Sequence, residues 1–336
     1  MPDLISLDHI TAAAERIAPH VLRTPTVPSP GLADHLGVPV ACKLELLQRT
    51  GSFKPRGATH KLLGLSAAER SAGVVAVSGG NHGVAVADAA AALGVAATVV
   101  MPEAAPQRSI AAARARGAEV RLTPDVSAAF ALLDELVAAG RTLVHPFDDP
   151  AVIAGQGTVG VELAADAPDV TDVLVSIGGG ALIAGVATAV RAMVPGVRVW
   201  GVETEGADSM SRALAAGTPV PTTPTSIVTT LAPPHVSALT LAHVSALVED
   251  VIVVPDAEAV RGCLTFAEEA KIWTEPAAGC LVPAAHRVLD RVGPDARLGL
   301  VVCGGNATTA DVTGWVQRFG ATPLPSRRDF STPRPR

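Results

Sequence analysis

Short runs of β-branched residues alternate along the chain with longer segments in which apolar residues recur every three to four positions. The runs are VVAVS (74–78), ATVVM (97–101), VLVSI (173–177), VRVWGVE (197–203), VIVVP (251–255) and LGLVVC (298–303). The helix-like segments include residues 103–117, 126–139 and 257–271. Because continuous apolar runs suit strands buried on both faces, the alternation predicts an α/β fold with parallel-rich sheets flanked by helices.

Composition narrows the choice of partners and compartment. The formal net charge of −6 offers no basic field, which argues against nucleic acid as a partner. The N-terminus lacks the basic segment and apolar run of a signal peptide, so a cytoplasmic protein is expected. The cysteines are scattered without the spacing of a metal finger, which fits a reducing compartment; they are Cys42, Cys263, Cys280 and Cys303.

The stretch that most resembles a membrane span is GVAVADAAAALGVAATVVM, residues 83–101. It contains Asp88 and a glycine, Gly94, near its middle. A buried helix followed by a strand explains this pattern better than a membrane-spanning helix does. We therefore expect no membrane partner.

A literal G-x-G-x-x-G pattern occurs at Gly155, Gly157 and Gly160. Dinucleotide binding would need a strand just before the pattern and an acidic residue about 20 positions later. The preceding segment PFDDPAVIA has a helical pattern instead, and no such acid is evident. The dinucleotide interpretation is therefore disfavoured.

The segment VSIGGGALIAG (175–185) leads from a valine-rich strand through consecutive glycines into a helical pattern. Backbone N–H groups of such a loop and the start of the following helix favour a bound phosphate. The alternative is an ordinary tight turn, although three glycines exceed what a turn requires. A second loop, SGGNHG (78–83), carries polar Asn81 and His82 where a simple turn would need neither.

Lys54 lies in the stretch GSFKPRGA (51–58), between Phe53 and a proline. The proline disfavours a helix interior at Lys54, which leaves two interpretations: a solvated basic loop, or a lysine held as a nucleophile. Pyridoxal phosphate needs a lysine amine for its aldehyde, a cradle for its phosphate and a partner for its ring nitrogen. This cofactor accounts for the lysine and both loops together.

An ordered set of motifs resembles the threonine/serine dehydratase and serine racemase family of pyridoxal-phosphate enzymes, which have the tryptophan-synthase-like fold (fold type II). The motifs are KLELLQRTGSFKPRGA, SGGNHGVAVADAAAALG, HPFDDPAVIAGQGT, SIGGGALIAG, EPAAG and VVCGGN. The resemblance implies a large cofactor-binding domain from residues 1–49 and 146–320, and a small mobile domain from residues 50–145. The proline- and arginine-rich residues 321–336 are expected to form a disordered tail.

The resemblance also implies the roles of individual residues. Lys54 is the catalytic residue that binds the cofactor's aldehyde, Asn81 bonds its 3′-oxygen, and Cys303 faces its ring nitrogen. The full expected cofactor set is Phe53, Lys54, Asn81, Gly178, Gly179, Gly180, Ala181, Leu182, Glu275 and Cys303. The expected substrate-binding set is Ser78, Gly79, Asn81, His82 and Thr230.

The family's cation site corresponds here to Glu203, Ala207 and Ser209. Ser209 replaces a carboxylate, and Asp208 is adjacent but would have to point differently. Because hard divalent ions prefer carboxylates among several oxygen ligands, only weak binding of Mg²⁺, Ca²⁺ or a monovalent cation is expected.

The implied activity is α,β-elimination of a small β-hydroxy or β-substituted amino acid, such as L-serine or L-threonine, to a 2-keto acid and ammonia. A serine racemase and a non-catalytic cofactor-binding protein are the alternatives. Gly79 stands where the racemases carry a serine, so racemisation should be weak. SIVTT (226–230) replaces the usual S-x-A-D-G near the substrate, so threonine should be a poor substrate. A homodimer or homotetramer is typical of the family.

Overall fold

The computed structural model describes residues 2–327. Its strands are β1 (Thr26–Pro28), β2 (Val40–Lys43), β3 (Val74–Val77), β4 (Ala97–Pro102), β5 (Glu119–Thr123), β6 (Thr142–Leu143), β7 (Asp172–Ser176), β8 (Arg198–Thr204), β9 (Asp250–Val254) and β10 (Leu298–Val301). Its helices are α1 (Leu7–Ile17), α2 (Pro30–Leu36), α3 (Pro55–Leu63), α4 (Ala67–Ala72), α5 (Asn81–Leu93), α6 (Gln107–Ala115), α7 (Val126–Ala138), α8 (Pro150–Asp166), α9 (Ala181–Met193), α10 (Ser209–Ala216), α11 (Ala238–Leu247), α12 (Asp256–Thr265), α13 (Pro276–Gly279), α14 (Leu281–Val292) and α15 (Thr309–Phe319). Short 3₁₀ turns lie at Glu45–Leu47 and Thr229–Leu231, and a π turn extends α12 at Phe266–Ala270.

The strands form two sheets, which confirms the predicted α/β class. The larger sheet has the order β1-β2-β10-β7-β8-β9, with β1 antiparallel and the other neighbours parallel. The smaller sheet has the order β5-β4-β3-β6 and is parallel throughout. The apolar runs predicted β3, β4 and β7 to β10 to within two residues of their ends.

Each sheet has its own hydrophobic core. Val173, Val175 and Val199 are fully buried in the core of the larger sheet. Val74, Ala76 and Val99 are fully buried in a separate core against the smaller sheet. Two cores produce two lobes, and the smaller sheet lies within residues 74–143. The exact domain boundary remains a prediction.

The glycines of GQGTVG lie inside α8, where they permit close helix packing. A Cβ atom on Gly155 would lie 2.7 Å from the carbonyl oxygen of Arg56 in α3, and one on Gly160 would lie 2.9 Å from the carbonyl oxygen of Val186 in α9. The pattern is therefore explained by packing and not by a nucleotide loop. The contact with α3 matters because that helix begins directly after Lys54.

Two further segments can be compared with expectation. Residues 83–101 form most of α5 and β4, as predicted, and no helix in residues 2–327 is long and apolar enough to cross a bilayer. Residues 321–327 pack on the large lobe, unlike the expected disordered tail: Leu324 N donates to Thr265 Oγ1 at 2.9 Å, and Arg327 Nη1 donates to the carbonyl of His286 at 2.8 Å. The remainder of that tail lies outside the described residues.

Candidate active site

Backbone pairing fixes Lys54 beside the carboxyl end of β10. Ser52 forms a bridge with Gly304, and Phe53 N donates to the carbonyl of Cys303 at 3.0 Å. Lys54 then occupies the N-cap of α3, with Pro55 at the first helical position, where its missing N–H carries no penalty. The proline beside the lysine is thus a helix start signal.

The Lys54 amine is buried beside the segment that leads from β6 to α8. Its Nζ donates to the carbonyl of Pro146 at 3.3 Å and lies 5.0 Å from the centroid of the Phe53 ring. Burial lowers the pKa of Lys54 to about 8, with a smaller opposing effect from Cys303. Near neutral pH a much larger fraction of this amine is uncharged than in a surface lysine, and the uncharged form is the nucleophile and base.

The glycine-rich loop after β7 has no room for side chains. A Cβ on Gly179 would lie 2.0 Å from Cδ1 of Phe147, and one on Gly178 would lie 3.1 Å from the carbonyl oxygen of Thr230. Gly180 caps α9 with a φ of +97°, a left-handed conformation that favours glycine. Ala181 and Leu182 are buried in the first turn of α9. Backbone N–H groups and a helix N-terminus therefore line this loop, as phosphate binding requires.

Asn81 is held in one orientation by two neighbours. Its Nδ2 donates to Glu275 Oε1 at 2.9 Å, and its Oδ1 accepts from Asn306 Nδ2 at 2.8 Å. Asn306 is oriented in turn, because its Nδ2 also donates to the carbonyl of Thr50 at 2.8 Å. Burial raises the pKa of Glu275 to about 7. One N–H of the Asn81 amide is left to bind a ligand.

The loop before α5 brings the predicted substrate residues together. Ser78 Oγ accepts from Gly80 N at 3.2 Å, and Gly79 leaves a narrow space, because a Cβ there would be 3.2 Å from Cβ of Ala105. Thr230 is exposed, and its Cγ2 lies 3.6 Å from the Cβ position of Gly80. Thr230 thus lies between this loop and Gly178 of the glycine loop.

His82 is buried at the start of α5 in neutral form. Its Nε2 bonds the carbonyl of Val144 at 2.8 Å, while its buried Nδ1 has no partner among the described residues. Burial, with a smaller contribution from Lys54, lowers the pKa of His82 to about 3. A neutral imidazole gives a carboxylate no ionic partner, so the N–H groups that begin α5 are the better anion donors.

Cys303 is buried at the end of β10, near Lys54. Burial raises the pKa of its thiol well above the usual value, so the thiol stays protonated. Ser176, at the end of β7, lies behind it and forms a hydrogen bond of 3.5 Å with Sγ of Cys280. Cys303 itself therefore adds no charge to this edge of the site.

The carboxylate of the expected cation site already has hydrogen-bond partners in the protein. Glu203 uses both carboxylate oxygens to cap α10, accepting from Met210 N at 2.8 Å and from Ser211 N at 2.9 Å. Ala207 lies in the turn before that helix, and Ser209 Oγ is buried without a partner in the described residues. No group of three or more His, Cys, Asp or Glu side chains in residues 2–327 could hold a metal. With one carboxylate already occupied by backbone N–H groups, only weak cation binding stays as the prediction here.

Several residues of the site were missed in the sequence. Pro146 and Phe147 contact the lysine and the glycine loop through the motif HPF, and Asn306 orients Asn81. Pro146 and Phe147 belong to the motif HPFDDPAVIAGQGT and Asn306 to VVCGGN, two motifs that the sequence marked without giving these residues a role. Their positions three to five residues after the ends of β6 and β10 could have identified them, because the carboxyl ends of parallel strands gather at one edge of a sheet.

A lysine of lowered pKa, a phosphate-type loop and an oriented amide lie between the two lobes, which defines a lysine-dependent enzyme with a phosphate-bearing cofactor. The model of the family "Pyridoxal-phosphate dependent enzyme" matches residues 17–304. The chain belongs to this family, and its cofactor is pyridoxal phosphate. The family resemblance seen in the motifs is confirmed.

Relatives and solved structures agree. The chain is 40% identical to an L-threonine ammonia-lyase of Thermotoga maritima, over 90% of this chain and 76% of that one. It is 39% identical to an L-threo-3-hydroxyaspartate ammonia-lyase of a Pseudomonas species, over 90% and 96%. The structure of maize serine racemase superposes with a TM-score of 0.87 at 32% identity, covering 95% of this chain and 98% of that one.

The residues present fit this cofactor. The glycine loop excludes side chains where a phosphate must approach the backbone. Beside Lys54 and Asn81, Ser52 Oγ and His82 Nδ1 are buried polar atoms without partners in the described part of the chain. Buried polar atoms of native proteins are rarely left unpaired, so a polar ligand at this place is expected.

Gly179→Ala tests the cradle. The added Cβ would overlap the Phe147 ring, so the loop or the ring must move. We expect the affinity for pyridoxal phosphate, measured by absorbance titration of the cofactor-free protein, to fall about tenfold or more, equivalent to about 1.4 kcal/mol. Gly314→Ala, at an exposed position of α15 with nothing near its Cβ position and no left-handed backbone, is the control for a glycine substitution. Equal affinities of Gly179→Ala and the wild type would refute the cradle.

The lowered pKa of Lys54 predicts a pH dependence. Free Lys54 must lose a proton before it attacks the cofactor's aldehyde, so the second-order rate of cofactor uptake should rise with pH and level off above about 8. Stopped-flow absorbance of the cofactor-free protein measures this rate. A rise that continues to the ordinary lysine value near 10.4 would contradict the effect of burial.

Proposed function

We propose that this protein is an ammonia-lyase that eliminates the β-substituent of a small amino acid to give a 2-keto acid and ammonia. The observation that carries the proposal is the Lys54 amine, with its lowered pKa, beside the glycine loop and the neutral Cys303. The names of the Thermotoga and Pseudomonas relatives support the same reaction class.

Bound pyridoxal phosphate would supply the electron sink that acidifies the α-hydrogen of the substrate. Lys54 Nζ accepts that proton, since its pKa of about 8 leaves it partly uncharged at neutral pH. The N–H groups that begin α5 bind the substrate carboxylate, with Ser78 and Gly79 shaping the loop. Asn81 donates to the cofactor's 3′-oxygen, and Phe53 packs near the lysine.

Cys303 faces the ring nitrogen in this proposal, with Glu275 acting through Asn81. A thiol is a weak donor and acceptor and cannot hold a proton on that nitrogen as a carboxylate would. With Cys303 at this place the ring nitrogen would stay largely unprotonated, so negative charge at the α carbon would be stabilised less. Prompt elimination of the β-substituent is then favoured over side reactions such as transamination.

Substitutions at Cys303 test this assignment. Cys303→Ser should retain elimination, because a hydroxyl fills the same place. Cys303→Asp should shift the visible absorption of the bound cofactor and raise the share of transamination products, because a carboxylate stabilises the protonated ring. Absorption spectra and product analysis measure both effects. An unchanged spectrum and product ratio in Cys303→Asp would remove Cys303 from this role.

The preferred substrate is a β-hydroxy or β-substituted amino acid other than threonine. Thr229 and Thr230 replace an acid and a glycine in the family's pattern, and both are exposed, with Thr230 against Gly80. Two β-branched side chains at this place narrow the substrate pocket and remove the acidic charge from its wall. A panel containing L-serine, L-threonine, L-threo-3-hydroxyaspartate and β-chloro-L-alanine, scored for keto acid and ammonia, tests the proposal. Release from none of them would refute the lyase, and efficient threonine turnover at low KM would refute the preference.

Serine racemase is the second candidate, because the maize racemase structure superposes closely. Racemisation needs an acid or base on the face opposite Lys54, and Gly79 has no side chain to serve there. Chiral analysis of recovered serine distinguishes the two activities.

We further propose that the protein is a cytoplasmic homodimer or homotetramer that acts on a free amino acid. Light scattering of the purified protein measures the oligomeric state.

A further inference from the structure

His145 is an imidazole between the two loops of the site that the mechanism above does not use. It belongs to the segment 144–147, which links β6 to the large lobe. In this segment Val144 accepts from His82, Pro146 accepts from Lys54 Nζ at 3.3 Å, and Phe147 covers Gly179. The His145 ring packs edge-on against Phe147, with ring centroids 4.6 Å apart. His145 therefore lies among the substrate loop, the lysine and the glycine loop.

Hydrogen bonds fix where the proton of His145 resides. Its Nδ1 lies 2.7 Å from Asp148 N and 3.3 Å from Phe147 N. Both backbone groups are donors, so Nδ1 must be the acceptor and the proton of the neutral ring must be on Nε2. A second proton on Nδ1 would face two N–H groups.

The charges around the ring are consistent with this state. Burial lowers the pKa of His145, and Lys54 and His235 lower it further, against the opposing effect of Asp148 and Asp149. Nε2 has no hydrogen-bond partner among the described residues, and the ring is half-buried. The ring thus offers one fixed N–H donor that the protein itself does not use.

We propose that His145 is a specificity-determining residue whose Nε2–H donates a hydrogen bond to an oxygen on the β carbon of the substrate. This inference rests on the proposed lyase function and refines it, because substrates that carry a β-oxygen would be preferred over those that do not. His145 keeps its proton throughout, because a neutral imidazole that gave up its proton would become a strongly basic anion. Its role is to bind and orient the β-oxygen; the proton that this oxygen needs in order to leave as water is available on Lys54 Nζ, which has taken it from the α carbon.

His145→Asn separates this role from a structural one. The asparagine side-chain oxygen can still accept from Asp148 N, which preserves the turn, while the shorter amide no longer reaches the Nε2 position. His9→Asn is the matched control: His9 Nδ1 accepts from Ser6 N at 3.1 Å in the same way, at an exposed helix start. Holoenzymes of both variants are assayed with L-serine, which has a β-oxygen, and with β-chloro-L-alanine, which has none.

We expect kcat/KM for serine to fall about tenfold or more in His145→Asn, the effect of losing one well-placed hydrogen bond. The value for β-chloro-L-alanine should change less than about threefold, and His9→Asn should match the wild type on both. Nitrogen NMR of the cofactor-free wild type should show Nε2 of His145 protonated and Nδ1 unprotonated.

Equal losses on the two substrates, no loss on either, or a proton on Nδ1 would overturn the inference while leaving the lyase intact. A wild-type holoenzyme that eliminates neither β-substituent would overturn the proposed function and this inference with it.

Discussion

Replacing Lys54 with alanine is expected to abolish the visible absorption that pyridoxal phosphate acquires on binding, and to lower turnover at least about 10³-fold. The loss is large because one side chain serves as the cofactor's covalent partner and as the base that accepts the α-proton, and general base catalysis alone contributes 10²- to 10⁴-fold. No other amine among the residues described as lining the site replaces it. Absorbance spectra and keto-acid release from L-serine measure the two effects.

Lys61→Ala is the matched control, since Lys61 lies on the same helix, α3, but forms an ion pair with Asp149 at 2.7 Å. It should keep the cofactor spectrum and turnover close to wild type. Elimination by Lys54→Ala at a rate near wild type would end the assignment of Lys54, whatever the behaviour of the control.

Local sequence signals predicted most of the strands that are buried on both faces. Strands such as β7 and β8 are continuous apolar runs because they lie inside the larger sheet. By contrast, β5 is largely exposed, β1 has three residues and β6 has two. Strands this exposed or this short contain too few buried residues to form an apolar run. Short length or exposure thus accounts for β1, β5 and β6, whereas β2 was also missed although three of its four residues are buried, because a four-residue strand that ends in a lysine forms no apolar run.

The residues of the candidate site also differ in how clearly the local sequence reveals them. Lys54 and the glycine loop are recognisable because proline and glycine constrain the backbone locally, and such constraints are visible in a few adjacent letters. The orientation of Asn81 by Glu275 and Asn306 joins residues about 200 positions apart in sequence, and no local pattern encodes that contact. Glu203 shows a role that the sequence did not reveal: its carboxylate caps a helix, and the weak cation binding expected there stays a prediction.

A buried ion network holds Arg56, two residues after Lys54 in the first turn of α3. Arg56 is fully buried and donates two hydrogen bonds to Glu45, both at 2.8 Å, and two to Glu162, at 2.7 and 2.8 Å. Lys43 is also fully buried and pairs with Glu162 at 2.5 Å. Two positive and two negative charges are thus balanced where α3 meets β2 and α8.

Arg56→Ala should be the most destabilising single substitution in this network, by about 3–5 kcal/mol of unfolding free energy. The reason is the charge left behind: Glu45 is fully buried and would retain only the hydroxyl of Thr24 as a partner. Urea denaturation of the cofactor-free protein, followed by circular dichroism, measures the loss. Arg23→Ala is the control, because Arg23 is paired with Asp166 but its side chain is 59% exposed, and exposed pairs contribute about 0–1 kcal/mol.

A second substitution identifies the unpaired charge as the cause. Arg56→Met combined with Glu45→Gln fills similar volume and removes the carboxylate that would be stranded, so the double variant should be more stable than Arg56→Met alone. If the cost came only from lost packing, Glu45→Gln would bring no recovery. An Arg56→Ala protein that unfolds within about 1 kcal/mol of wild type would show that the network does not hold α3, and with it Lys54, in place.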